Sequence, residues 1–159
     1  MALHLRYDLK ELGEHGRRLN ALMAAAVNTR PLMDEIGAYG EFSTRERFEK
    51  QHDPDGKPWK PNRRGGQILT DTARLRDSIT HDAGDTYASW GTNVIYAGVH
   101  QEGAVIEPKN ADRLAFRIGS QLIFAKRVEI PARPFLGLSN DDENEISRIA
   151  ADYFREALQ

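Results

Sequence analysis

Between His52 and Gly66 the chain loses every regular spacing of apolar residues and is built from Pro, Gly, Asp, Asn and basic residues, so this stretch is a loop. It divides whatever the chain folds into. Before it, apolar residues recur at helical steps; after it, the period shifts toward two. Asp53-Pro54-Asp55-Gly56 has turn chemistry, since proline presets φ and glycine accepts a positive one. Pro58 and Pro61 bracket Trp59 and keep the segment extended, and Arg63-Arg64-Gly65-Gly66 reads as a mobile basic stretch. Lys57, Lys60, Arg63 and Arg64 lie between Asp55 and Asp71 without one acid, so the loop is locally positive.

On the N-terminal side, Leu9, Leu12, Gly16, Leu19, Met23 and Ala26 share one stripe of a helix over about 8–27. Gly13 and Gly16 weaken it by roughly 1 kcal/mol each against alanine. Pro31 suits the first turn of a second helix that runs to about Lys50. Its Ile36, Tyr39 and Phe48 face inward, while Arg45, Glu46, Arg47, Glu49 and Lys50 read as solvated. Beyond the loop, a short helix over 70–79 has Thr70 or Asp71 as its cap and Ala73, Leu75 and Ile79 as candidate buried residues. The runs 86–90, 94–100, 114–118 and 121–128 predict a small antiparallel sheet within about 80–128, with Gly119 suited to a type II′ turn. Ile130 to Gly137 is a proline corner that cannot be a central strand. Residues 140–158 form a last helix, capped from Ser139 and carrying Ile146, Ile149, Ala150, Tyr153, Ala157 and Leu158 on one stripe. The layout is α+β in a single domain spanning 1–159.

The absence of cysteine removes disulfides, thiol catalysis and Cys-ligated zinc, so the fold must rest on packing. Twenty-two basic against 24 acidic residues leave a formal charge of −2, which supplies no global field for gripping nucleic acid or an anionic membrane. The longest apolar run, Ala21 to Val27, is far short of the about 20 residues that span a bilayer. Neither a signal peptide nor a membrane anchor is expected.

No HExxH, GxSxG, P-loop or dinucleotide fingerprint occurs, and the adjacent pairs His52-Asp53 and His81-Asp82 make no dyad, because neighbours on a strand point to opposite faces. His100 and Glu102 would share a strand face and form a weak metal-ligand candidate. Asp53-x-Asp55-Gly56 opens like a calcium loop but lacks the later oxygens and the bidentate glutamate, which favours a plain turn. Trp59 among the loop cations could stack a base, or fold back and anchor its loop. Arg133, rigidly held between Pro131 and Pro134 and followed by Phe135 and Leu136, could pair within the subunit or serve a subunit contact.

Four ordered strings carry a resemblance. Arg47-Phe48 with Asp53-Pro54-Asp55-Gly56-Lys57-Pro58-Trp59, then Ile68 to Ile79, then Gly91-Thr92-Asn93 with Tyr96 to Gly103, and Ile130 to Ser139 together resemble the phage virion morphogenesis family, the tail-completion proteins of Mu-type and P2-type contractile-tailed phages. Members commonly carry glycine where Ala73 and Ala104 stand, and an apolar or aromatic residue at Glu102. The resemblance implies a structural, non-enzymatic role without cofactors, in which a ring of identical subunits caps the finished tail or joins it to the head. It implies contact with the tail tube or terminator and with head-connector proteins, and a passage from host cytoplasm to virion. A ring needs two different edges that fit. The expected contacts are the basic loop with Trp59, Lys60, Arg63 and Arg64, the corner with Arg133 and Phe135, and the acidic helix start with Asp141, Asp142, Glu143 and Glu145. The alternative is a small nucleic-acid-binding module using the basic loop 57–64.

Overall fold

The computed structural model describes residues 13–63 and 65–158. Its elements in order are α1 (Gly13–Val27), α2 (Arg30–Lys50), α3 (Arg74–Asp77), β1 (Thr80–Ala83), β2 (Ala88–Gly91), α4 (Ala97–Glu102), β3 (Ala104–Ile106), β4 (Leu114–Ile118), β5 (Gln121–Ala125), β6 (Val128–Ile130) and α5 (Asn140–Glu156). The α+β class stands, but the strands divide into three antiparallel pairs, β1–β2, β3–β6 and β4–β5, in place of one sheet. The stretch expected as a strand at 94–100 instead turns into α4; six residues are too few for period alone to tell helix from strand. Leu9 and Leu12 of the expected first stripe lie outside the described residues. Leu19 and Met23 of that stripe are exposed; the main packing partner of α1 is α5.

The central element is α2, which receives the β1–β2 hairpin on one side and α5 on another. Two glycines make the hairpin contact possible. A Cβ on Gly40 would stand 2.3 Å from Cδ2 of Trp90, and one on Gly37 3.0 Å from Cδ2 of His81. Further along α2, Phe48 is fully buried and stacks edge-on with Trp59 (centroids 5.5 Å apart) and tilted against Phe135 (5.2 Å). Ile68, Leu75, Ile79, Val94 and Ala97 complete this core. Helix, loop, short helix and proline corner thus share one apolar centre.

Arg47, expected among the solvated charges of α2, is buried, and this is the largest correction to the sequence reading of that helix. Its Nη1 donates to the carbonyls of Phe135 (2.9 Å) and Gly137 (2.8 Å), and its Nη2 donates to Oδ2 of Asp142 and, at 3.3 Å, to Ser43. Asp142 is itself the third residue of α5, where it closes a reciprocal capping box with Ser139. Its carboxylate also accepts from the Tyr39 hydroxyl (3.0 Å), the Ser43 hydroxyl (2.5 Å) and the Ser139 amide (2.7 Å). Burial pushes the Asp142 carboxyl up, but these donors and Arg47 outweigh it and hold the group at about 2, against an ordinary 3.8. Burial and the hydrogen bond to Asp142 push the Tyr39 hydroxyl up to about 12.

The short helix starts later than its expected caps at Thr70 or Asp71. Ala73 precedes it with φ +56 and no side-chain cap. Alanine in that left-handed conformation costs roughly 1 kcal/mol. At the β4–β5 turn, Gly119 has φ +61 while Ser120 is not positive, as a type II′ turn requires.

Four substitutions test this packing, each read by denaturant or thermal unfolding. Asp142→Ala strands the Arg47 charge and should cost about 3–5 kcal/mol. The contribution of the ionised Asp142 carboxylate, about 2 kcal/mol from its depressed pKa and owed to the Ser43 and Ser139 hydrogen bonds as well as to Arg47, is complete above pH 3.8 and is lost as pH falls toward 2, so Asp142→Asn should flatten that part of the acid transition. Gly40→Ala should destabilise despite a helix-propensity gain near 1 kcal/mol, because Trp90 has to move, whereas Ala73→Gly should stabilise by about 0.5–1 kcal/mol; the opposite sign in either case contradicts the packing or the strain described.

Candidate assembly surface

The basic loop is tied down at three points. Trp59 is 5% exposed and its Nε1 donates to the carbonyl of Pro134 at 2.9 Å. The Gln51 side chain bridges to Ile68, accepting from its amide at 2.5 Å and donating to its carbonyl at 3.2 Å. Arg133 reaches under the loop, its Nε 2.8 Å from the Lys60 carbonyl and its Nη2 3.3 Å from that of Pro61. Burial lowers the pKa of this guanidinium, which is paired with carbonyls and with no carboxylate among the described residues. The Gln101 side chain fixes the corner in turn, accepting from the amides of Phe135 and Leu136 at 3.0 Å each.

These facts revise the expected contacts. Trp59, Arg133, Phe135 and Asp142 are all buried within the subunit, so their side chains hold the loop, the corner and α5 in place and are not free to meet a partner. An aromatic flanked by prolines folds back at small entropic loss, and a planar cation beneath the loop finds ready acceptors in the adjacent carbonyls of Lys60 and Pro61. Lys60 and Arg63 remain exposed, as does Asp141; Arg64 lies outside the described residues. The His100–Glu102 pairing dissolves as well. Two residues apart on α4 they point about 160° apart rather than sharing a face. Burial, then the nearby Arg133, lowers the His100 pKa, and its Nδ1 is buried without a hydrogen-bond partner. Among the described residues no group of three or more His, Asp or Glu could hold a metal, and no helix is long and apolar enough to cross a membrane.

Two surfaces stay chemically unsatisfied. The first is the β4–β5 hairpin, which packs on no other element to a comparable extent. In its register Phe116 pairs Ile123, and Arg117 pairs Leu122. Leu114, Phe116, Ile118 and Ile123 are half-buried on one face. The other face points outward with Leu122 (54% exposed) and Phe124 (57%), and the alternation adds Arg113, Arg117 and Lys126 to it. The hairpin tip borders the loop, where Arg117, Ile118 and Gly119 line a cleft with Asn62, Arg63 and Asp71. Of the loop cations, Arg63 therefore shares a cleft with Arg117 of the hairpin. That surface was missed from sequence, although Arg113, Arg117 and Lys126 fall on one side of the turn's pleat.

The second surface is a cleft of about 520 Å³ between the end of α2, the 54–56 turn and the start of α5. Its cations are already engaged, Arg47 by Asp142 and Lys50 by Glu46 at 3.0 Å. Asp55 and Asp141 on its wall have no ion-pair partner among the described residues, and Leu138 beside them is 47% exposed.

The chain is similar along most of its length to known proteins. The model of the phage virion morphogenesis family matches residues 11–155. "Mu-like prophage FluMu G protein 2" of Haemophilus influenzae is 35% identical over 153 residues, covering 95% of this chain and 96% of that protein. "Putative capsid assembly protein G" of Escherichia phage Mu is 38% identical over 157 residues, covering 89% and 83% respectively. No solved structure matches. With a family match across nearly the whole chain and two relatives aligned along most of theirs, the chain belongs to the phage virion morphogenesis family.

Proposed function

We propose that the chain completes or caps the phage tail and joins it to the head, working as a ring of identical subunits. The observation that carries the reading is the near full-length match to a virion assembly family. The surface supports it: the unengaged cations of the loop and hairpin, and the unengaged acids beside α5, are different edges of one subunit, and a closed ring is built from unlike edges that fit each other. The role is structural and asks for no cofactor. Its partners are other copies, the tail tube or terminator, and the head connector, first in the host cytoplasm and then in the virion.

A nucleic-acid-binding module on the same loop is the rival reading, favoured by the cleft that Arg63 and Arg117 line together. Burial of Trp59 takes away the stacking platform that such a module would use.

Electron microscopy of particles made without this protein should show unjoined heads and tails or abnormal tail ends; intact, infectious particles would sink the proposal. Lys60→Glu with Arg63→Glu should keep the melting temperature of the wild type and lose particle completion. Trp59→Ala, which empties a core site, should lose about 3–5 kcal/mol of stability first. Filter binding to duplex DNA at two salt concentrations separates the rival: steeply salt-dependent retention that disappears in the Lys60/Arg63 variant favours it.

A further inference from the structure

We infer that the β4–β5 hairpin is a docking arm and that its receptor is the α2–α5 cleft of a second copy of this chain. The inference rests on the assembly reading above and names the contact that reading leaves open. A two-stranded hairpin is marginally stable alone, and this one leaves Leu122 and Phe124 in water. Those two side chains are framed by Arg113, Arg117 and Lys126, none of which has an ion-pair partner among the described residues. From Lys109 to Arg127 the chain holds five cations and one acid. Whatever covers the arm must offer an apolar seat with an acidic border.

The cleft offers that chemistry. Leu138 is its exposed apolar wall, Asp55 and Asp141 are its uncompensated carboxylates, and Glu143 extends the acidic border along α5. Its own lysine and arginine are already paired, so an incoming cation meets net negative charge. Arm and cleft share no residue, so an arm placed in the cleft of the next copy leaves that copy's arm free for another. The contact is head-to-tail, which is the kind that propagates until a ring closes.

The lack of native cysteine makes the contact directly testable. Leu122→Cys combined with Leu138→Cys on one chain should give, under mild oxidation, a ladder of disulfide-linked multimers, while either substitution alone gives none. Dimers from Leu122→Cys alone would mean that arms meet arms and would overturn the inference, as would an absent ladder in the double variant. Charge reversal supplies a second reading by light scattering. Arg113→Glu with Arg117→Glu and Lys126→Glu, or Asp55→Lys with Asp141→Lys, should each leave monomers with an unchanged melting temperature. Mixed in equal amounts they should recover multimers, because the native arm of the cleft variant fits the native cleft of the arm variant and the acidic arm meets the basic cleft in turn; a mixture that stays monomeric overturns the inference. Wild-type assembly by either variant overturns the inference, and so does an arm variant that assembles normally but no longer retains DNA. Such failures, alongside unjoined heads and tails in particles lacking the protein, would discard the arm and leave the assembly role standing; intact particles would discard the role itself.

Discussion

The buried contact between Arg47 and Asp142 joins parts of the chain 95 residues apart, and three otherwise independent pieces meet on it. Arg47 holds the carbonyls of the proline corner, Asp142 caps α5, and the Tyr39 and Ser43 hydroxyls of α2 finish the carboxylate's hydrogen bonds. Removing two charges from water costs several kcal/mol per ion, and the attraction between them offsets this only when the remaining donors and acceptors are also matched. Here five donors converge on one carboxylate. A partial version of the network would leave a buried charge exposed to that penalty, so α2, the corner and α5 are energetically favoured together and disfavoured in any two-thirds arrangement.

The same centre decides what the basic loop can be. With Phe48 packed against both Trp59 and Phe135, and Arg133 bonded to the carbonyls of Lys60 and Pro61, the loop is anchored at its middle by Trp59 while Lys57, Lys60 and Arg63 stay exposed around that anchor. Rigid presentation matters for an assembly protein. Ordering a loose loop on contact would subtract about 1–2 kcal/mol per residue from whatever the contact gains.

Much of the layout was legible in the sequence, and the misses have a common physical origin. Pro31 and the apolar spacing marked α2, Ser139 marked the start of α5, and Gly119 marked the β4–β5 turn, because each is a local signal whose partner lies within a few residues. Arg47 stood in a run of alternating charge, and nothing near it in sequence announces a carboxylate 95 residues away. Trp59 was legible as a residue that folds back to anchor its loop, and it does; for Arg133 and Phe135 the inward and the contact readings ask for the same rigid neighbours and differ only in a distant partner. The Gly37 and Gly40 clearance on α2 was silent for the same reason: what a glycine admits, here Trp90 and His81, is decided by the hairpin that docks there.

That division between local and distant signals also explains where the molecule is left unfinished. Inside the domain every strongly buried charge has acquired acceptors or a counter-charge, as at Arg47, Asp142 and Arg133. At the hairpin and at the α2–α5 cleft the opposite holds, with apolar side chains in water and like charges gathered beside them. Such surfaces cost a monomer something in self-repulsion and hydration and return nothing to it. Self-complementarity within the chain is therefore nearly complete in the core and withheld at two edges of opposite sign, which is the arrangement expected when the missing partner is part of an assembly.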